Sequence, residues 1–228
     1  MIKKLFRPFV LPALIVSALC WTSCSKPVVV EVTPTPNPAP AFTNLVISGD
    51  IKVNLVAGTT NQVDTVTQGV IVKTQVNKTL FISGAGIVNI TVSDLDTLIT
   101  NGNTSVVDST SLLHLDHLIV VANGFSRINM NLTASDSLVV ISNGVGPYTF
   151  SGSTPKYHLH TNGLAFVHSY GLIATNVIVG LYGVGKSQVY ASNSITAYIA
   201  GAGIIYYKGN PPIVNPVFIA GIGMLVPQ

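Results

Sequence analysis

Charge is scarce in this sequence. Only 8% of its 228 residues are Asp, Glu, Lys or Arg, and the single glutamate is Glu31. No carboxylate follows Asp136, and the remaining stretch carries only Lys156, Lys186 and Lys208 as formal charges. Three of the basic residues, Lys3, Lys4 and Arg7, fall in an N-terminal leader; without them, eight basic residues face eight acidic ones. That balance offers no electrostatic footprint for nucleic acid. Sugar-cleaving enzymes commonly place paired carboxylates on one groove, and the acid-free second half argues against such an enzyme. Cysteine is limited to Cys20 and Cys24, so a body that loses the leader has no thiol for a disulfide or a metal. After residue 20 no apolar run approaches the ~18 residues of a spanning helix, although 48% of the chain is hydrophobic. Val, Ile and Thr crowd the chain where helix formers are few, which predicts strands and almost no helix.

The first 24 residues combine a positive start, an apolar stretch from about Phe9 to Leu19 and small residues before a cysteine, the pattern of a secretion signal. Thr22-Ser23-Cys24 supplies the small residues that a lipoprotein signal peptidase needs, whereas Ala18-Leu19-Cys20 puts a bulky leucine before the cut. The segment resembles bacterial lipoprotein signals, which implies a lipid on Cys24. Residues 25–41 carry five prolines, a composition that extends as polyproline II and builds no core. The expected organisation is therefore a signal over 1–24, a spacer over 25–41 and one domain over 42–228.

Within that domain, glycine pairs recur at Gly84, Gly102, Gly124, Gly144, Gly163, Gly183, Gly201 and Gly221, four of them preceded by asparagine. An aliphatic residue also stands at every twentieth position through Ile99, Ile119, Val139, Leu159, Val179, Ile199 and Ile219. A repeat of about 20 residues predicts a parallel β-helix, a solenoid of about eight coils, with the aliphatic ladder pointing inward. Asparagines at the corners can hydrogen-bond to those of the next coil, while glycine tolerates the turn. Residues 42–80 break the pattern and read as an atypical N-terminal capping unit. Asn-Gly also marks tight hairpins, so an antiparallel meander or sandwich is the alternative fold.

Residues 42–56, the Ser-Gly-Ala-Gly, Ala-Gly-Ala-Gly and Ala-Gly-Ile-Gly units at 83–86, 200–203 and 220–223, and the run Tyr206-Tyr207-Lys208-Gly209-Asn210-Pro211 resemble the autotransporter adhesin head domain, or GIN domain, of bacterial cell-envelope proteins. The resemblance implies a β-helix and an exported, envelope location. It supplies no catalytic residue.

Candidate sites are few. Asp96, Asp116 and Asp136 repeat every 20 residues and are expected on one edge, as a cation ladder or, more simply, as caps of their own turns. His158 and His160 share a strand face but have no third ligand at repeat spacing. Ser111, His114 and Asp116 contain the residue types of a hydrolase triad without a framed nucleophile. All eight tyrosines lie between Tyr148 and Tyr207, and Tyr170 and Tyr190 each follow a repeat glycine by seven residues, which suggests an aromatic contact surface. The sequence thus predicts a lipid-anchored envelope module that is not an enzyme, needs no cofactor or metal and does not bind nucleic acid. Its partners are a membrane, through the anchor, and an unidentified protein or glycan. Alternatives are a glycan-active enzyme on the same scaffold or a sensory envelope domain.

Overall fold

A computed structural model describes residues 42–75, 77–108 and 112–228. The signal over 1–24, the spacer over 25–41, Cys24 and Ser111 lie outside the described residues. No helix occurs among the described residues. The strands are β1 (Asn44–Ala57), β2 (Gln62–Val66), β3 (Val70–Gln75), β4 (Thr79–Val92), β5 (Thr97–Asp108), β6 (Leu113–Ala122), β7 (Phe125–Ser142), β8 (Val145–Thr161), β9 (Leu164–Leu181), β10 (Val184–Ile199), β11 (Ala202–Lys208), β12 (Ile213–Phe218) and β13 (Met224–Pro227).

From β5 onward each strand pairs in parallel with the strand one coil later, so the chain winds a β-solenoid of about six turns. Antiparallel pairing is confined to β2 and β3 against β4. The eight coils expected from glycine spacing are too many, because the chain does not stack its first elements in order. Strand β1 lies between β4 and β5, in register with both. Ser83-Gly84 therefore belongs to the cap outside β1, not to a regular coil. At the other end the last coil consists only of the short strands β12 and β13.

The exact 20-residue ladder is not one inward column. Val139 pairs with Ile119 below and His158 above, on the outward side. Leu159 pairs with Val140 and Val179 in the core, Ile199 belongs to a third column opposite Leu181, and Ile219 is exposed at the end. Coil length varies because irregular register at Thr133/Ser137, Thr149/Ser151 and Val189/Tyr190 absorbs or releases residues, so a fixed count drifts across columns. The true core column runs Leu80, Leu45, Leu98, Val120, Val140, Leu159, Val179 and Ala197, each fully buried. Stacking like on like gives each side chain dispersion contacts above and below. Tyr148, Phe150 and Tyr157 fill the wider parts of the interior. The Tyr148 hydroxyl accepts from Ser142, and the Tyr157 hydroxyl pairs with Ser169 at 3.1 Å, so neither buried phenol is left unsatisfied.

The Asn-Gly corners form the expected ladder. Asn123 donates to Asn101 and Asn143 to Asn123, both at 3.0 Å, and Asn162 donates to Asn143 at 2.8 Å. Gly102 and Gly124 turn this corner at φ of 95° and 79°, where a side chain is strained. Because each amide both donates and accepts, an inner member is worth two hydrogen bonds. Asn143→Ala is expected to lower unfolding stability by about 1–2 kcal/mol in a urea titration, while Asn162→Ala, at the end of the run with one such bond, costs less.

Candidate binding face

Alternation along the strands sends every second side chain outward, and the parallel register stacks these into columns. Measured from the repeat glycines, the third residue of each coil forms one such column. It holds Ser105 and Arg127, then Phe166, Lys186, Ile204 and Met224. The next outward column includes His168, Gln188 and Tyr206, and the one after it pairs Tyr190 with Lys208. His168 Nδ1 and Gln188 Oε1 are 2.8 Å apart, which locks adjacent coils together in the middle of the face.

Of the two tyrosines singled out by spacing, Tyr190 has Ile173 and Lys208 as ladder partners, whereas Tyr170 falls in the register break between Ser169 and Ile173. They are not direct ladder neighbours, yet both belong to this face. Lys208 Nζ sits 4.5 Å from the centre of the Tyr170 ring, and Lys186 Nζ sits 4.8 Å from that of Tyr206. Each ammonium rests on a π face, an arrangement worth roughly 0.5–1 kcal/mol at exposed sites. Burial pushes the Tyr170 phenol above its ordinary pKa, with Tyr206 adding to the effect. Sequence spacing did not single out Phe166, His168, Lys186, Tyr206 and Lys208; counting from the repeat glycines, with alternation, places all five outward.

The other candidates lie away from this face and are engaged locally. Asp96 approaches His117 Nε2 at 3.8 Å, Asp116 accepts from Ser135 at 2.9 Å, and Asp136 accepts from Ser137 and, at 2.8 Å, from Lys156. Each carboxylate has its own neighbour. His158 has Val139 and Ile178 beside it on the adjoining coils, and His160 has Ile141 and Gly180. His160 instead stacks on Tyr182, with ring centres 6.4 Å apart. Among the described residues no group of three His, Cys, Asp or Glu comes together.

Hydrogen bonding from Lys156, then from Ser137, lowers the Asp136 pKa below the usual carboxylate value. A depressed folded-state pKa stabilises above the unfolded value and loses that stabilisation as pH falls through the folded one. The pair is exposed, so its effect on stability is small. Lys156→Ala is expected to return the Asp136 carboxyl toward its ordinary titration, read by carboxyl carbon NMR shifts between acid and neutral pH.

A family model described as "Putative auto-transporter adhesin, head GIN domain" matches residues 41–211. No curated protein matches the chain. A solved structure titled as a putative adhesin from Bacteroides fragilis superposes with a TM-score of 0.73 at 22% identity, covering 85% of this chain and 95% of the other. A second so titled, from Parabacteroides distasonis, gives 0.61 at 16% identity with the same coverage. A third, titled as a putative lipid binding protein from the same species, gives 0.52 at 16% identity over 81% of this chain and 92% of the other. At these identities the three structures speak to the fold.

Proposed function

Because the chain belongs to the auto-transporter adhesin head GIN domain family, we propose that it is an adhesin-like, non-enzymatic binding module of the bacterial cell envelope, tethered to a membrane through lipidated Cys24. The observation that carries this reading is the separation of reactive groups. The aspartates at Asp96, Asp116 and Asp136 are each engaged by a different neighbour, while an outward face built from four successive coils gathers aromatic and cationic side chains. Rigid stacked coils suit binding, because they hold side chains at fixed spacing without a moving part.

The solved relatives titled as adhesins support a surface-binding role. The core argues against taking a lipid inside, since Tyr148, Phe150 and Tyr157 fill it. Membrane attachment rests on the small residues before Cys24. Cys24→Ala is expected to shift the protein from the membrane fraction to the soluble fraction, with loss of incorporated labelled fatty acid, while Cys20→Ala leaves both unchanged. The reverse pattern would move the anchor to Cys20. For the binding role, incubation of the full chain with a panel of polysaccharides is expected to yield retention without product. Reproducible release of oligosaccharide, lost on changing Asp116, would establish the enzymatic alternative instead.

A further inference from the structure

We propose that the outward face of β7 to β11 binds an acidic polysaccharide, laid along the solenoid axis across the coils. This rests on the binding-module reading and names its ligand class and its site. From Phe125 onward the only acidic side chain is that of Asp136, and it is engaged by Lys156. The face itself carries Arg127, Lys186 and Lys208 and no acidic side chain. None of the three forms an ion pair among the described residues. Two of them are already positioned: the rings of Tyr206 and Tyr170 hold the ammonium groups of Lys186 and Lys208 in place. An incoming carboxylate meets charges whose side chains are already biased toward the face by these contacts, which reduces part of the ordering cost of binding.

The apolar part of the surface is equally specific. Phe166 is 45% exposed in the same column as Lys186, and Tyr190 lies half-buried beside Lys208. Aromatic side chains offer flat area with a quadrupole that attracts the polarised C–H groups of a sugar ring. At the N-terminal end of the face, Phe125, Arg127 and Pro147 line a hollow of 310 Å³, which puts a further ring and cation side by side on its wall. Coils stack about 4.8 Å apart, and a linear polymer along the axis therefore crosses the cations and rings of successive coils in turn.

Other anionic polymers fit less well. Peptides commonly bind a sheet by adding a strand at an open edge, and the middle of this sheet has no edge because each strand is paired on both sides. A nucleic acid binds mainly through its phosphates along a continuous basic track, and three cations spread over five strands do not make one. A uronic-acid glycan combines carboxylates for these cations with sugar C–H faces for the exposed rings.

Affinity electrophoresis and calorimetry of the full chain with polygalacturonate test this, with neutral pullulan and oligo(dT) as comparisons. Polygalacturonate is expected to bind, more weakly as salt rises, and pullulan and oligo(dT) at least about tenfold more weakly. Lys186→Gln with Lys208→Gln should lower polygalacturonate affinity by about tenfold or more without changing the melting temperature, and Phe166→Ala should lower it at constant salt dependence. Lys156→Gln, on another side of the coil, should leave it unchanged. Undiminished affinity in the double variant, equal binding of oligo(dT), or no binding of polygalacturonate would overturn the proposal. Retention of pullulan alone would overturn the acidic class while leaving a binding module, whereas release of products from any polymer would remove the binding-module reading itself.

Discussion

Val140→Asp is expected to yield no folded protein, while Val139→Asp, one residue away, folds. Val140 is fully buried between Val120 and Leu159. A carboxylate there has apolar side chains above and below and no donor within the column. Such burial costs several kcal/mol even when the group takes up a proton, a large part of the 5–15 kcal/mol that holds a typical domain together. The solenoid adds to the penalty, because a coil that opens exposes the inner faces of both neighbours. Val139 points the other way, between Ile119 and His158, and is half-buried. Its replacement by aspartate loses some packing and β propensity, about 1 kcal/mol. Circular dichroism with thermal melting separates the two outcomes.

Gly144→Ala is expected to destabilise by about 2–3 kcal/mol through overlap alone. A methyl group at Gly144 would lie inside van der Waals contact of the Gly124 carbonyl oxygen, and close to its amide nitrogen and carbonyl carbon as well. The same conflict repeats for Gly163 against Gly144 and for Gly183 against Gly163. Backbone crowding cannot be relieved by a rotamer change, so either the coil spacing widens or the corner hydrogen bonds from Asn143 to Ala122 and from Val145 to Gly124 lengthen. Gly171→Ala provides the contrast. Gly171 is exposed, and its added methyl would meet nothing nearer than the Cβ of Ser151 at 3.2 Å, a contact that a shift of a few tenths of an ångström relieves, with a change within about 0.5 kcal/mol. Denaturant unfolding of the two variants reads the difference directly.

These two results bear on which parts of the molecule were legible in the amino-acid order. The period was legible because the corner needs both a small backbone and an amide that donates and accepts, and few residues other than Asn and Gly meet those demands. Parallel stacking followed from regular recurrence of apolar residues. Column membership did not follow, because coils differ in length. The repeat glycines are separated by between 18 and 22 residues, and the residue four before each of them, from Leu45 before Gly49 to Ala197 before Gly201, is the core column. Counting back from the glycine locates Val140; counting in steps of 20 locates Val139.

The cap was less legible still. Asn44–Ala57 and Thr79–Val92 are similar strands, and only long-range pairing decides that the later one packs outside the earlier. Asn61 helps fix this order by linking the start and end of the cap: its amide donates to the carbonyl oxygens of Phe42 and Asp94, and its side-chain oxygen accepts from Ser93. A single polar residue in a short linker carries no periodic signal. The binding face was visible only in part. Tyrosine spacing pointed to Tyr170 and Tyr190, but the partners that make the face cationic, Lys186 and Lys208, gain meaning from the register that lays them over the rings of Tyr206 and Tyr170.

Every functional statement above depends on parallel coils in this register, and paired cysteines measure it most directly. The body beyond Cys24 has no native thiol, so Val139→Cys with His158→Cys reports cleanly in a chain whose two leader cysteines are accounted for by mass spectrometry. These positions are ladder partners on adjacent outward strands, with Cα atoms about 4.8 Å apart, within the range a disulfide spans. Mild oxidation should link 139 to 158 nearly completely in the native protein. Val139→Cys with Leu159→Cys should remain reduced, because the second side chain points into the core. Efficient linkage of 139 to 159 with little of 139 to 158 would contradict the register, and with it the columns that build both the core and the proposed face.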